Sequence, residues 1–566
     1  MALDIIIRGG SVYDGTGSEP VTADIGIANG VISEVGQIAD KAHQTIDANG
    51  AIVTPGFVDI HTHYDAQATW CDRLIPSNDH GVTTAIMGNC GVGFAPVRPA
   101  DHDLLIDLME GVEDIPEVVM KEGLNWQWES FEEFMDYLGA RQYDMDPGAQ
   151  LPHAAMRVYV MGERGLNREP ANADDIAKMR KITESAMHAG AIGFSTSRWL
   201  HHKSASGEQT PSIHAEVNEL VGIGLGMKDA GRGVFQAISE FGSLDDEFDI
   251  LRQVAEKSDR PLSMSVGEGL SSVDWRDVMS SIEKANADGL EMRGQIAPRA
   301  IGVIMGLTAS LSPFSPRESY REVLSLPFDE RLRALSDPQR RAKILSETTD
   351  EFHQRLEKLI DGGNWIWEMG KTPDYEPGPE DSLAARAARA GMDAEEFMYD
   401  RMLANDGQTL FYSARANYDD GNFDVCREQI LHPDTVMGLG DGGAHVGLIC
   451  DASFTTTLLT HWGRDRSRGK GIDLPFLVKK QTSDTARAVG LTDRGIIKPG
   501  LKADINVIDF ENLRVHTPKV VHDLPAGGAR FQQGSSGYLA TLVSGKMTYE
   551  NGHATDALPG RLIRAH

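Results

Sequence analysis

Residues 56–63 read Gly-Phe-Val-Asp-Ile-His-Thr-His, an apolar run that ends in two histidines separated by one residue. On a strand, residues two apart face the same side, so His61 and His63 project together. In a parallel barrel the C-terminal strand ends surround the active site, and both imidazoles can meet one cation there. The plainer reading, two histidines without a metal, loses ground because candidate ligands stand at the ends of other strand-like runs. Asp441 ends the last such run, in VMGLGDGGAH, and closure of a barrel brings that run beside the first. A carboxylate there is suited both to ligate metal and to take a proton from bound water, although an aspartate before Gly442 and Gly443 also makes an ordinary turn. Cys90 ends the second run, in MGNCG. Its thiolate is a strong ligand for a divalent cation, while buried free cysteines are common without one.

Eight strand-like runs lie between residues 56 and 443: 56–63, 83–91, 155–162, 191–197, 232–239, 261–267, 291–298 and 435–443. Helical stretches separate most of them. In ANADDIAKMRKITESAMHAG, Ile176, Met179, Ile182 and Ala186 recur at helical spacing, and Asn172 is placed to cap the start. Strands alternating with helices predict an α/β fold, a (β/α)8 TIM-like barrel. Residues 310–405, rich in charge and helix formers, predict a mainly helical insertion between the seventh and eighth strands. Short β-rich runs beside Gly, Asn or Asp fill both ends of the chain, as in LDIIIRGGSVYDG and YLATLVSGKMTYENG. Residues 1–57 and 490–566 are therefore expected to form one small β-sandwich domain, with the barrel over 58–489.

Composition removes several function classes. The 84 acidic side chains against 54 Lys and Arg leave a formal charge of −30, which repels phosphate backbones and anionic lipid. No apolar run approaches the roughly 18–20 residues needed to span a bilayer. Four cysteines without CxxC spacing, and no signal-like N-terminus, predict a cytoplasmic protein. Assembly into a homo-oligomer is left open. There is no GxxxxGK[ST] phosphate loop, and FSTS does not form a nucleophile elbow.

PGFVDIHTHYD, TTAIMGNCGVGFAP, GAIGFSTS, the run carrying Asp441 and the late PGLKADINVID together resemble the N-acyl-D-amino-acid deacylases (D-aminoacylases) of the amidohydrolase superfamily, over nearly the whole chain. The resemblance implies a barrel flanked by a two-part β domain. It also implies zinc held by His61, His63 and Asp441, with Cys90 where related enzymes often use a carboxylated lysine; AIGFSTS has no lysine, and Lys203 lies past its end. One departure stands out. The family normally carries a metal-binding histidine at the ends of its fifth and sixth strands, but the matching runs here are VFQAISEFG and PLSMSVGEG. Glu240 is a candidate substitute at the fifth, and Ser265 or Val266 fall near the sixth. One zinc ion rather than two is therefore expected.

Around this centre, His445 is a candidate for direct ligation or for a supporting hydrogen bond. His201 and His202 follow the fourth strand, where substrate-contacting loops emerge. Arg299 follows the seventh and is a candidate partner for a substrate carboxylate, or else an ordinary salt bridge. The resulting expectation is a metal-dependent hydrolase that cleaves the amide of a small-molecule N-acyl amino acid or related N-acyl amide by attack of a metal-activated water, with Asp441 as proton carrier. Hydrolysis of a cyclic or bulky lipophilic amide, or a non-catalytic barrel scaffold, are the alternatives.

Overall fold

The structure, a computed structural model, describes residues 3–347 and 361–565. Eight parallel strands follow one another around the barrel in chain order: β1 (Phe57–Asp59), β2 (Val82–Met87), β3 (Asp146–Pro152), β4 (Gly193–Arg198), β5 (Val234–Ser239), β6 (Leu262–Ser265), β7 (Met292–Ile296) and β8 (Thr435–Met437). Nearly every residue of these strands is buried, the pattern of strands covered on both faces. Closure occurs just beyond the strand ends. Thr62 bridges Gly442 in parallel register, His63 N–H donates to Gly442 O at 2.8 Å, and Asp441 N–H donates to His61 O at 3.0 Å. The barrel therefore shuts through the very residues singled out for metal binding. Glycine makes this approach feasible: Gly443 has φ +92°, and a Cβ there would sit 2.9 Å from His63 O.

The third strand corrects the sequence reading. All but the last residue of 155–162 lie in a helix, His153–Met161, and the strand is Asp146–Pro152 instead. Valine and tyrosine in AMRVYVMG mimic a buried strand, because a helix buried on several sides has no polar stripe. Pro147 and Pro152 disguise the true strand, since proline usually argues against a central strand. Here Pro147 pairs with Ala85 in register, and Pro152 sits at the strand end, where it opens the following helix. The helix expected after residue 171 spans Ala173–His188; Asn172 accepts from the N–H groups of Asp174 and Asp175 in a capping box with Asp175. Such a cap contributes about 1 kcal/mol.

Strands from both ends of the chain build a nine-stranded sheet. At its centre Ile505–Ile508 pairs antiparallel with Ile52–Pro55, which in turn runs parallel to Leu3–Val12. This sheet has its own apolar cluster, including Ile7, Ile27, Val53, Val507 and Leu542. Residues 514–536 leave it: the hairpin Lys519–Leu524/Gly528–Gln532 lies over the barrel mouth, with Phe531 N–H donating to Val446 O at 2.7 Å. At the opposite end, Asp146 pairs with Arg494 and Lys502.

The connection between β7 and β8 carries helices at Phe328–Leu335, Pro338–Ser346, Leu383–Ala390 and Ala394–Leu403. A three-stranded antiparallel sheet, Ile301–Gly306, Leu410–Ala416 and Ile366–Glu368, pins them and is absent from the sequence reading. Residues 348–360, within the charge-rich stretch 310–405, lie outside the described residues.

Candidate metal centre

Both histidines stand just past β1, held by the closing hydrogen bonds, and each ring has an identifiable orientation. His61 Nδ1 faces Gln295 Oε1 at 2.7 Å, and Gln295 Nε2 donates to Ser263 Oγ, which fixes the amide with its oxygen toward the ring. Nδ1 is therefore the protonated nitrogen, and the Nε2 lone pair points into the centre. His63 Nδ1 likewise faces a carboxylate, Glu113 Oε1, at 3.3 Å. On the inner side, Cys90 Sγ is 3.4 Å from His61 Nε2. Asp441 Oδ1 is 3.4 Å from His61 Nε2 and 3.5 Å from His63 Nε2. Ligand atoms of His61, His63 and Cys90 all lie within 4.8 Å of one another, and Asp441 adds a carboxylate bridging the two rings.

Cys90 reaches inward because the chain turns sharply after β2. Cys90 itself has φ +54°, its N–H donates to Gln236 Oε1 at 3.2 Å, and the next N–H, of Gly91, donates to Ser195 Oγ at 3.0 Å. Gln236 on β5 stands in the run where a histidine ligand was missing; its Nε2 is buried without a partner, as is Ser265 Oγ on β6. Neither supplies a metal-ligating nitrogen or thiolate.

The electrostatics match a centre built for a cation. Burial pushes the Cys90 thiol up to about 12. Burial would lower His63, but the Glu113 and Asp441 carboxylates reverse this and hold it well above its ordinary value. Burial also acts to raise Asp441, yet its bond to His63 and the charges of both rings hold it well below the usual carboxylate range. Asp441 keeps 21% side-chain exposure against 2% and 1% for the histidines, so the centre faces the mouth on that side. The donor set of two imidazoles, a thiol and a carboxylate fits a zinc-like ion. A proton count checks this. In the neutral range the apoprotein keeps a proton on Cys90, the upward shift of His63 favours a second one there, and a cation displaces them. Stoichiometric zinc added in weak buffer is expected to release about two protons, and apparent affinity should climb at least tenfold per pH unit. Calorimetry in buffers of different ionisation enthalpy measures the number; no release would mean the cation binds elsewhere.

The remaining candidates are placed unevenly. His202 is buried, with Nδ1 2.8 Å from Ser197 Oγ, and burial plus the nearby His445 and His63 press it down to about 3, so it belongs to the rim of the centre. His201 is exposed, its ring against Trp199. Glu240 is outside the ligand cluster and carries one buried carboxylate oxygen without a partner. His445 turns toward Glu113 rather than inward, Nε2 to Oε2 at 3.5 Å. Arg299 takes the salt-bridge role: it is buried, paired with Asp451 at 3.0 Å, and stacked 3.5 Å over the Tyr375 ring. Glu113 was missed entirely; burial pushes its carboxyl up to about 7.

With this geometry in view, comparison with known proteins is decisive for the family. The amidohydrolase family model labelled Amidohydro_3 matches residues 44–549. The chain belongs to the amidohydrolase family. Relatives of this amidohydrolase include the D-aminoacylase of Alcaligenes xylosoxydans xylosoxydans, 30% identical over 250 residues, which are 44% of this chain and 49% of that one. The N-acyl-D-aspartate deacylase of the same organism is 29% identical over 99% of this chain and 95% of its own. Among solved structures, the N-acyl-D-glutamate deacylase of Bordetella bronchiseptica, complexed with zinc and a phosphonate mimic of the tetrahedral intermediate, superposes with a TM-score of 0.64 at 21% identity, covering 100% of both chains. This amidohydrolase thus shares its fold with a deacylase over the full length. Among the described residues no helix is long and apolar enough to cross a membrane.

Proposed function

We propose that this amidohydrolase cleaves the amide bond of N-acyl amino acids, with the D-configured substrates of its relatives as the first class to test, using one zinc ion. The observation that carries the reading is the convergence of His61, His63, Cys90 and Asp441 at the point where the barrel closes. A cation held by these four would polarise the amide carbonyl and lower the pKa of water at the site toward neutrality. Gln295 and Glu113 face the Nδ1 atoms of His61 and His63, which leaves both Nε2 atoms turned toward Cys90 Sγ and Asp441 Oδ1. Asp441 remains ionised across the neutral range and is the carboxylate placed to take the proton from the attacking water. The same carboxyl returns it to the departing nitrogen, which is a poor leaving group until protonated. A single ion is favoured because β5 and β6 offer an amide and a hydroxyl, Gln236 and Ser265, where two further ligands would be needed. All four cysteines are free thiols, as a reducing cytoplasm would keep them.

The test is a hydrolysis screen of D- and L-N-acyl amino acids, with cyclic and lipophilic amides as comparators, run beside elemental metal analysis. Amine release from D-configured N-acyl substrates, lost with a chelator and restored by zinc, is expected. Release only from cyclic amides, or from none in zinc-loaded protein, overturns the substrate class.

A further inference from the structure

The helix His102–Glu113, in the connection between β2 and β3, ends with its last side chain inside the metal centre. Glu113 is 1% exposed. A carboxylate so buried requires charged or hydrogen-bonding compensation. The imidazoles in ion-pair range are His63, with Nδ1 3.3 Å from Oε1, and His445, with Nε2 3.5 Å from Oε2. Neither His63 Nδ1 nor Glu113 Oε1 has a hydrogen-bonding partner in the structure; the two buried atoms face each other as an ion pair. The backbone holds the carboxylate in place. Glu113 O accepts from His445 N–H, and at Asp114, with φ +50°, Oδ2 accepts from Gly447 N–H and Ser310 Oγ, each at 3.3 Å.

We infer that Glu113 is a positioning residue for the metal centre: its carboxylate takes the Nδ1–H of His63, fixes the tautomer that turns Nε2 inward, and through its second oxygen ties His445 and the loop after β8 to the same ligand. A ligating histidine needs an acceptor on its far nitrogen, and an anionic acceptor makes it the stronger donor. The two rings are then unequal by construction. His61 leans on the neutral amide of Gln295, whereas His63 leans on a carboxylate. The link also explains why a polar side chain from a distant connection is buried here at all: the helix, the last barrel loop and the ligand meet at one carboxyl group.

This inference rests on the metal reading above. The full-length protein is compared with its Glu113→Gln and Glu113→Ala variants by zinc competition against a calibrated chelator, by the melting temperature of the metal-free form and by turnover at saturating zinc. Glu113→Gln keeps an acceptor and is expected to lose about tenfold in zinc affinity, and Glu113→Ala up to about 100-fold, the range typical of outer ligand partners. The metal-free melting temperature of Glu113→Gln should stay at or above that of the parent, since a buried charge is removed. A parent that binds zinc, with both variants within twofold of its affinity, overturns the role. A loss confined to metal-free stability does the same, marking Glu113 as a packing group. A parent that binds no zinc removes the metal reading itself, and this inference with it.

Discussion

Asp441→Asn is expected to lower turnover by about 100- to 10,000-fold at saturating zinc, the span that a positioned proton carrier contributes, and to leave the fold intact. Asparagine suits the site sterically. Asp441 has φ +46°, a left-handed conformation that asparagine adopts more readily than most residues, and its N–H to His61 O is a backbone bond that any side chain retains. What asparagine cannot do is hold a negative charge 3.4 and 3.5 Å from the two ring nitrogens or shuttle a proton. Zinc affinity should fall as well, so the assay must add metal until activity stops rising; the deficit that survives belongs to proton transfer. The loss should appear in kcat rather than KM, since the interaction removed acts on the transition state. Turnover within tenfold of the parent under those conditions would take Asp441 out of the mechanism.

The parts of this centre visible in the sequence are those at strand ends. His61, His63, Cys90 and Asp441 each terminate an apolar run, and a barrel brings such ends together whatever the intervening loops do. The parts that were invisible lie elsewhere. Glu113 closes a helix in a connection, and only the fold reveals that it reaches His63. Gln295 and Gln236 sit inside strands, where nothing in sequence distinguishes a glutamine that orients a ligand from one that fills space. Arg299 shows the converse error: a strand-end arginine looks available for substrate until Asp451 and Tyr375 are seen to enclose it. The third strand failed for a local reason, two prolines in the strand and none in the helix after it. Gly442 and Gly443, read as plain turn residues, turn out to be the closing seam of the barrel.

Cys90→Ser separates a metal ligand from a merely buried thiol, and its expected effect is the larger one on metal binding. The turn that aims residue 90 inward does not depend on sulfur: Cys90 N–H is held by Gln236, Gly91 N–H by Ser195, and Gly91 has φ +71° against the backbone of Thr196 and Ser197. Serine should therefore occupy the same place with little change in the metal-free structure. It offers a neutral hydroxyl where zinc prefers a thiolate. Zinc affinity is expected to drop on the order of 100-fold, one donor's share of the roughly 10–16 kcal/mol that four-ligand zinc sites provide. The proton count gives a second, independent readout. Burial keeps the thiol protonated up to about 12 in the metal-free protein, so one of the protons released on loading is its own. Cys90→Ser should release one proton fewer, and affinity should depend less steeply on pH. A variant that binds zinc within threefold of the parent and releases as many protons would leave Cys90 an ordinary core cysteine and the centre with three protein ligands.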